Sequence, residues 1–250
     1  MPTRSGRQGD LTESTFLVFE GCSDLYLAED KHWGADLDII RGVVNGYGDV
    51  RLLDAGCGPG WHLVNVGYLC PQFSRRVGLD YSERMLAVAE RFIAQAGMLA
   101  EINLVLGDIL EMPFKDAEFD VVLCLANTLG NLPGHAFEES TQVRRKALQE
   151  LRRVLRGGGA LVLSVYNADR LAEQERYGRV FILDPHASQM ETNDLVIRFY
   201  DPNDEDTDGT PYYSHWFTAD EVRSLVADSG FRVLDSEERK SRIVLVARPS

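Results

Sequence analysis

The sequence lacks several features that would restrict its function at once. Its four cysteines show no C-x-x-C spacing, and no set of histidine, cysteine and aspartate residues has the spacing of metal ligands. No apolar run approaches the length of a membrane-spanning helix. The first ten residues are polar, so we expect no signal peptide, and reduced thiols favour a cytoplasmic location. These absences argue against a disulfide scaffold, a metal enzyme and a membrane protein.

The sequence also has little positive charge for a nucleic-acid-binding protein. Its formal net charge at pH 7 is −13, whereas nucleic-acid binders need a basic surface. The short basic clusters Arg144-Arg145-Lys146 and Arg152-Arg153 fall on a predicted amphipathic helix, where we expect a solvated face. A length of 250 residues with 44% hydrophobic and 26% charged residues is typical of one globular domain. Nucleic acid is therefore an unlikely class of partner on charge alone.

A glycine-rich turn after an apolar strand is the most informative pattern in the chain. The segment V-R-L-L-D-A-G-C-G-P-G-W-H begins at Val50, and its glycines stand at alternate positions, Gly56, Gly58 and Gly60. Such a turn lets a ligand approach the backbone closely. A dinucleotide-binding fold would place its third glycine where this chain has Trp61. The pattern is therefore D-x-G-x-G-x-G, and the strands after the turn decide which ligand it indicates.

Three further strands are predicted after this turn. Asp80 ends the second strand about twenty residues later, which is where a strand-end acid reaches the hydroxyl pair of a ribose. Asp108 comes after the third strand, in a position that a dinucleotide fold does not require. The fourth strand, Phe119 to Leu125, is followed by Ala126-Asn127-Thr128. Strands that alternate with helices in this way predict a parallel sheet.

The order and spacing of these motifs resemble those of the class I S-adenosylmethionine-dependent methyltransferases. The resemblance covers residues 35–166 and resumes over residues 215–249. It implies an α/β, Rossmann-like fold with a mostly parallel seven-stranded sheet and an antiparallel last strand. It also implies S-adenosylmethionine as methyl donor and S-adenosylhomocysteine as product. The matching segments are L-L-D-A-G-C-G-P-G, V-G-L-D-Y-S-E-R-M-L, G-D-I-L-E-M-P-F, F-D-V-V-L-C-L-A-N and L-R-R-V-L-R-G-G-G-A-L-V-L.

Local signals predict the domain organisation. We expect an N-terminal arm over residues 1–34 and a single methyltransferase domain over residues 35–250. Ser82 and Thr218 are predicted helix N-caps, and Glu221 completes a capping box with Thr218. Three glycines at 157–159 are expected to end a long helix before a fifth strand that starts at Ala160. Residues 168–214 exceed what a minimal fold needs, so we predict an inserted β-rich lid, with a decorative excursion as the alternative.

The resemblance implies a cofactor site at the strand ends. The glycines are expected to let the backbone approach the methionine part, and Asp80 to accept from the ribose hydroxyls. Asp108 would accept from the adenine amine, although a turn-forming aspartate is the alternative. Asp54 would either touch the ligand or orient the turn through its backbone amides. The expected cofactor-binding residues are Trp33, Gly56, Cys57, Gly58, Gly60, Asp80, Tyr81, Asp108, Ile109 and Leu125.

The acceptor side carries weaker signals. The segment L-A-N-T-L-G-N lacks the N-P-P-Y motif of nucleobase amino-methylation and resembles the C-x-G-N-S segment of glycine and amino-sugar N-methyltransferases. Asn127 and His215 are therefore expected to face the acceptor, with His215 as candidate general base and Asn127 alternatively a polar cap. We expect a small-molecule acceptor methylated at nitrogen, since a neutral amine needs no base. A macromolecular acceptor (protein or RNA) and O-methylation of a small molecule are the alternatives, and the oligomeric state is open.

Overall fold

The structure is a computed structural model that describes residues 34–45, 47–70, 73–132, 140–171, 193–198, 211–239 and 241–250. Apart from Gly34, the predicted arm lies outside these residues, and so does most of the predicted lid. Trp33, an expected cofactor contact, is therefore not described.

Helices and strands alternate along the chain as the sequence predicts. The helices are α1 Gly34–Val44, α2 Trp61–Leu69, α3 Glu83–Gln95, α4 Ser140–Val154 and α5 Ala219–Asp228. The strands of the main sheet are β1 Val50–Ala55, β2 Phe73–Asp80, β3 Ile102–Leu106, β4 Phe119–Cys124, β5 Leu155–Tyr166, β8 Phe231–Arg239 and β9 Arg242–Pro249. Two more strands, β6 Asp194–Arg198 and β7 Pro211–His215, form a separate antiparallel pair.

The main sheet has the strand order β3-β2-β1-β4-β5-β9-β8. Strands β1 to β5 pair in parallel, whereas β9 runs antiparallel to both β5 and β8. This arrangement confirms a mostly parallel seven-stranded sheet in which the last strand is antiparallel. The order of the strands reverses between β1 and β4, and the crevice at the carboxyl ends of strands at such a point is where open α/β sheets bind ligands.

An apolar core lies on each face of the sheet. Leu148 and Leu151 of α4 and Val222 and Val226 of α5 are buried on one face. On the other face, α1, α2 and α3 bury their apolar sides, which include Ile40, Leu63 and Ile93. Both faces of the strands are thus covered, and the glycine turn after β1 is held between two rigid layers.

The predicted helix caps are confirmed, while the start of β5 is not. Ser82 Oγ accepts from the backbone N–H of Met85 at 3.0 Å, and the capping box of Thr218 and Glu221 is present. Strand β5 begins at Leu155, so the glycines at 157–159 lie inside a strand. A Cβ atom on Gly159 would lie 2.6 Å from the carbonyl oxygen of Asp120. At Gly159, therefore, glycine allows the close approach of β5 to β4.

The β6–β7 pair lies within the predicted insertion. Its residue pairs run from Asp194↔His215 to Arg198↔Pro211, so that β7 ends one residue past the predicted range. Tyr212 and Trp216 are buried and pack with Tyr166, whose ring centroid lies 5.0 Å from that of Trp216. The role of this insertion as a lid stays a prediction.

Candidate active site

The glycine turn between β1 and α2 has the backbone that the sequence predicts. Gly56, Gly58 and Gly60 have φ angles of +80°, +50° and +78°, a region that favours glycine. A Cβ atom on Gly56 would lie 2.7 Å from Thr128 Oγ1 and closer still to its methyl group. A Cβ atom on Gly58 would meet no atom within 4 Å. One side of the turn is thus packed against the segment after β4, and the other side is open.

Asp80 connects the glycine turn to the end of β2. Its Oδ2 accepts from the backbone N–H of Gly58 at 2.7 Å, and its Oδ1 accepts from that of Ser82 at 3.0 Å. Ser82, rather than Asp80, caps α3. Tyr81 is the next residue, with 61% of its surface exposed. The Asp80 carboxylate thus lies at the glycine turn, and contact of Asp80 and Tyr81 with the cofactor stays a prediction.

Asp54, at the end of β1, is a buried carboxylate without a hydrogen-bond partner among the described residues. It is 1% exposed, and within the described part of the chain neither of its oxygens has a hydrogen-bond partner. It therefore does not orient the turn through backbone amides. Burial is the main reason that the pKa of Asp54 is raised to about 6. His62 lowers this pKa, whereas the negative charge of Asp80 raises it. A buried acceptor of this kind needs a donor or a cation to offset its lost hydration.

The two thiols of the turn region are buried and unreactive. Burial raises the pKa of Cys57 well above its usual value, and it raises that of Cys124 to about 12. Both cysteines therefore hold their protons at neutral pH, since only the thiolate is a good nucleophile. This agrees with a backbone role for Cys57 in the turn.

The end of β3 presents the third predicted cofactor residue. Asp108 is exposed, and its Oδ1 accepts from the backbone N–H of Leu110 at 2.8 Å. Ile109 is buried against the core, and Gly107 donates to the carbonyl of Asp80 at 3.0 Å. The turn-forming role of Asp108 is thus real, and contact of Asp108 and Ile109 with adenine stays a prediction.

Asn127 joins the ends of β4, β5 and β7. It is fully buried and has a φ of +66°. Its Oδ1 accepts from the backbone N–H of Tyr166 at 3.0 Å. Its Nδ2 donates to Ser214 Oγ, to the carbonyl of His215 and to Asn131 Oδ1, at 3.1, 3.2 and 3.2 Å. The side chain therefore fixes β7 to the ends of β4 and β5, as the polar-cap alternative predicts. Leu125, two residues earlier, is buried too.

His215 is held between two carboxylates. Its Nδ1 lies 2.6 Å from Asp194 Oδ1, and its Nε2 lies 2.7 Å from Glu221 Oε1. Burial lowers the pKa of this fully buried ring, but the hydrogen bonds to both acids outweigh that effect and raise the pKa above its usual value. The raised pKa favours the imidazolium form, in which both ring nitrogens donate and neither carries a lone pair.

Two more residues complete a buried cluster around this ring. Tyr213 donates to Asp194 Oδ1 at 2.6 Å, and Arg144 donates to the Tyr213 hydroxyl at 2.7 Å. We call Arg144, Asp194, Tyr213, His215 and Glu221 the His215 network.

The placement of Arg144 corrects the sequence prediction. The basic cluster predicts a solvated face for Arg144, but the residue is 1% exposed. Its position three and four residues before the buried Ala147 and Leu148 indicates the inner face of α4, and that signal is available in the sequence.

A metal centre has no support in the described residues. No group of three or more histidine, cysteine, aspartate or glutamate side chains there is placed to hold a metal ion. In the same part of the chain, none of the helices is both long and apolar enough to cross a membrane.

Comparison with known proteins identifies the family. The family described as "Methyltransferase domain" matches residues 53–163. A protein named as a methyltransferase in Encephalitozoon cuniculi (strain GB-M1) is 32% identical over 208 residues, which are 82% of this chain and 80% of that protein. Demethylmenaquinone methyltransferase of Bacillus cereus (strain AH187) is 30% identical over 154 residues, which are 58% of this chain and 59% of that protein.

A solved structure, the complex of DhpI with S-adenosylhomocysteine, has the same fold. It superposes with a TM-score of 0.66 at 16% identity and covers 98% of this chain and 99% of that one. Fold, motifs and relatives agree, and the chain belongs to the class I S-adenosylmethionine-dependent methyltransferases. It is a methyltransferase whose methyl donor is S-adenosylmethionine.

Proposed function

We propose that the enzyme binds S-adenosylmethionine across the carboxyl ends of β1, β2 and β3 and methylates a small molecule at nitrogen. One observation carries the placement of the donor. The Asp54 carboxylate is buried without a partner among the described residues, beside a turn that is open at Gly58. The donor carries a positive charge on its amino group and on its sulfur, and either charge would stabilise the ionised carboxylate of Asp54.

The other predicted residues fit this placement. A carboxylate has about four acceptor positions, so the bonds from Gly58 and Ser82 do not exclude ribose hydroxyls from Asp80. The exposed ring of Tyr81 and the side chain of Asp108 lie at the neighbouring strand ends, where the adenine would extend. We infer that Gly56, Gly58 and Gly60 bring the backbone to the methionine part of the donor.

The chemistry that remains for the protein is alignment. Bound S-adenosylmethionine supplies an electrophilic methyl carbon, so the protein has to hold an acceptor lone pair behind that carbon and exclude water. A hydroxyl acceptor needs a base to remove its proton. Both ring nitrogens of His215 are occupied by the carboxylates of Asp194 and Glu221, so neither is available to an acceptor as that base. An amine that arrives neutral needs none, which supports nitrogen over oxygen as the methylated atom.

A labelled donor tests this proposal. We would incubate the enzyme with S-adenosylmethionine labelled in its methyl group and separate panels of amines, phenols, RNA and unmodified protein. Mass spectrometry should find the label on a small amine. A labelled phenol would move the proposal to oxygen, and label confined to RNA or protein would replace the small-molecule acceptor with a macromolecular one.

Asp80→Ala should weaken the binding of S-adenosylhomocysteine. The expected loss is about 1–3 kcal/mol, the cost of leaving hydrogen-bonding groups unpaired. Calorimetry with S-adenosylhomocysteine measures it directly. Asp49→Ala, which removes an exposed carboxylate just before β1, is the matched control and should leave the affinity unchanged. Equal affinity for wild type and Asp80→Ala would remove Asp80 from the ribose site.

A further inference from the structure

The His215 network balances charge in a buried place. Arg144 comes from α4, Asp194 from β6, Tyr213 and His215 from β7, and Glu221 from α5. When His215 is an imidazolium, two cations face two anions. Arg144 lies 3.9 Å from Asp194 as well as within hydrogen-bond distance of Tyr213. The network thereby attaches the β6–β7 pair to two helices of the main domain.

The number of protons on His215 decides how many of these attachments survive. An imidazolium donates from both nitrogens, whereas a neutral imidazole has one donor and one acceptor. A carboxylate only accepts, so loss of the proton sets a ring lone pair against either Asp194 or Glu221. The Asp194 side chain is fully buried, while that of Glu221 is 36% exposed. Water can therefore replace the ring at Glu221 but not at Asp194, and the contact with α5 is the one that breaks.

We propose that the proton on His215 is a latch that holds the β6–β7 pair against α5. When the proton leaves, the pair detaches from α5. The consequence reaches the donor site through contacts. Asn127 donates to Ser214 and to the carbonyl of His215, and the next residue, Thr128, packs against Gly56. An effect of this detachment on methyl transfer to the acceptor rests on the proposed function, whereas the detachment of the pair from α5 does not.

The sign of the pH dependence comes from the network. Burial and Arg144 lower the pKa of His215. The hydrogen bonds to Asp194 and Glu221 raise it by more, so that the pKa lies above the usual 6.5. The latch is therefore fully closed below the pKa that His215 has in the unfolded chain, and it opens as pH rises through the pKa that His215 has in the folded protein. Burial raises the pKa of Tyr213 above its own usual value of 10, so the tyrosine stays protonated while the histidine titrates.

Trp216 offers a direct readout of the latch. It is the residue after His215 in the chain, is buried, and packs against Tyr166. The chain has three tryptophans, so Trp33→Phe and Trp61→Phe together leave Trp216 as the single emitter. Its emission should shift to longer wavelength between about pH 6 and about pH 9, with a midpoint above the usual histidine value. Far-UV circular dichroism should stay constant over the same range. Emission that stays flat across it overturns the proposal.

Three variants in this background identify the titrating group. His215→Gln should remove the transition and show the long-wavelength emission throughout. Glu221→Gln should lower the midpoint, because it removes one of the anions that favour the imidazolium. Thr218→Ala is the control: it breaks the same capping box but leaves the Glu221 carboxylate on His215, so it should destabilise α5 without moving the midpoint. Equal midpoints in the Glu221→Gln and Thr218→Ala variants contradict the latch.

These measurements need no ligand, so they test the latch independently of the proposed function. A flat emission curve removes the latch and leaves methyl transfer to a small amine as it stands. A negative result with the amine panel removes that acceptor and leaves the latch as it stands.

Discussion

Gly56→Ala should destabilise the protein by about 2–5 kcal/mol and abolish binding of S-adenosylhomocysteine. A left-handed residue with a Cβ costs about 1–2 kcal/mol, and overpacking a filled site costs about 1–3 kcal/mol more. Both apply here, since φ is +80° and the new Cβ would lie 2.7 Å from Thr128 Oγ1. Chemical denaturation measures the change in the free energy of unfolding, and calorimetry measures the affinity.

Two further variants separate the causes. Gly58→Ala keeps the penalty for a positive φ but meets no atom within 4 Å, so its stability loss should be about 1–2 kcal/mol. It should still weaken S-adenosylhomocysteine binding, because the proposed donor lies on that open side. Thr128→Ala combined with Gly56→Ala should recover part of the lost stability. Equal stability losses for Gly56→Ala and Gly58→Ala would show that Thr128 is not the obstacle.

Arg144→Met should cost about 3–5 kcal/mol of unfolding free energy, the usual effect of breaking a buried charged pair by removing one partner. The guanidinium is 1% exposed and donates to Tyr213, which in turn donates to Asp194. Without it, the charge of buried Asp194 loses one of its cationic neighbours and depends more on His215. Urea denaturation followed by circular dichroism measures the loss.

The neighbouring residue is a matched control for this prediction. Arg145 lies on the same helix with a side chain 48% exposed, and it pairs with Asp228 at 3.4 Å. Arg145→Met makes the same chemical change at the surface, where an ion pair contributes less than about 1 kcal/mol. Losses of similar size for the two variants would mean that the His215 network does not stabilise the fold as argued.

Local signals in the sequence predicted the elements and the donor motif well. Ser82 and Thr218 cap their helices as predicted, because a cap depends on residues within one turn. The positive φ angles of Gly56, Gly58 and Gly60 agree with the one residue type that tolerates them well. The predicted start of β5 was wrong because the requirement for glycine at 159 comes from Asp120 on another strand, and no local rule contains that contact.

The sequence by itself determined the class of fold, the order of the strand-end motifs along the chain and the enzyme family with its methyl donor. It could do so because periodicity, caps and turn chemistry act over a few residues. Only the tertiary structure decided the partners of the polar side chains. The sequence singled out Asn127 and His215, but their buried partners come from residues such as Asp194 and Tyr166, far away in the chain. For Asp54 the tertiary structure decided the opposite outcome, a buried carboxylate without a hydrogen-bond partner among the described residues. Its need for a cation appears only once its neighbours have been placed, because burial and hydrogen bonding are properties of the packed molecule.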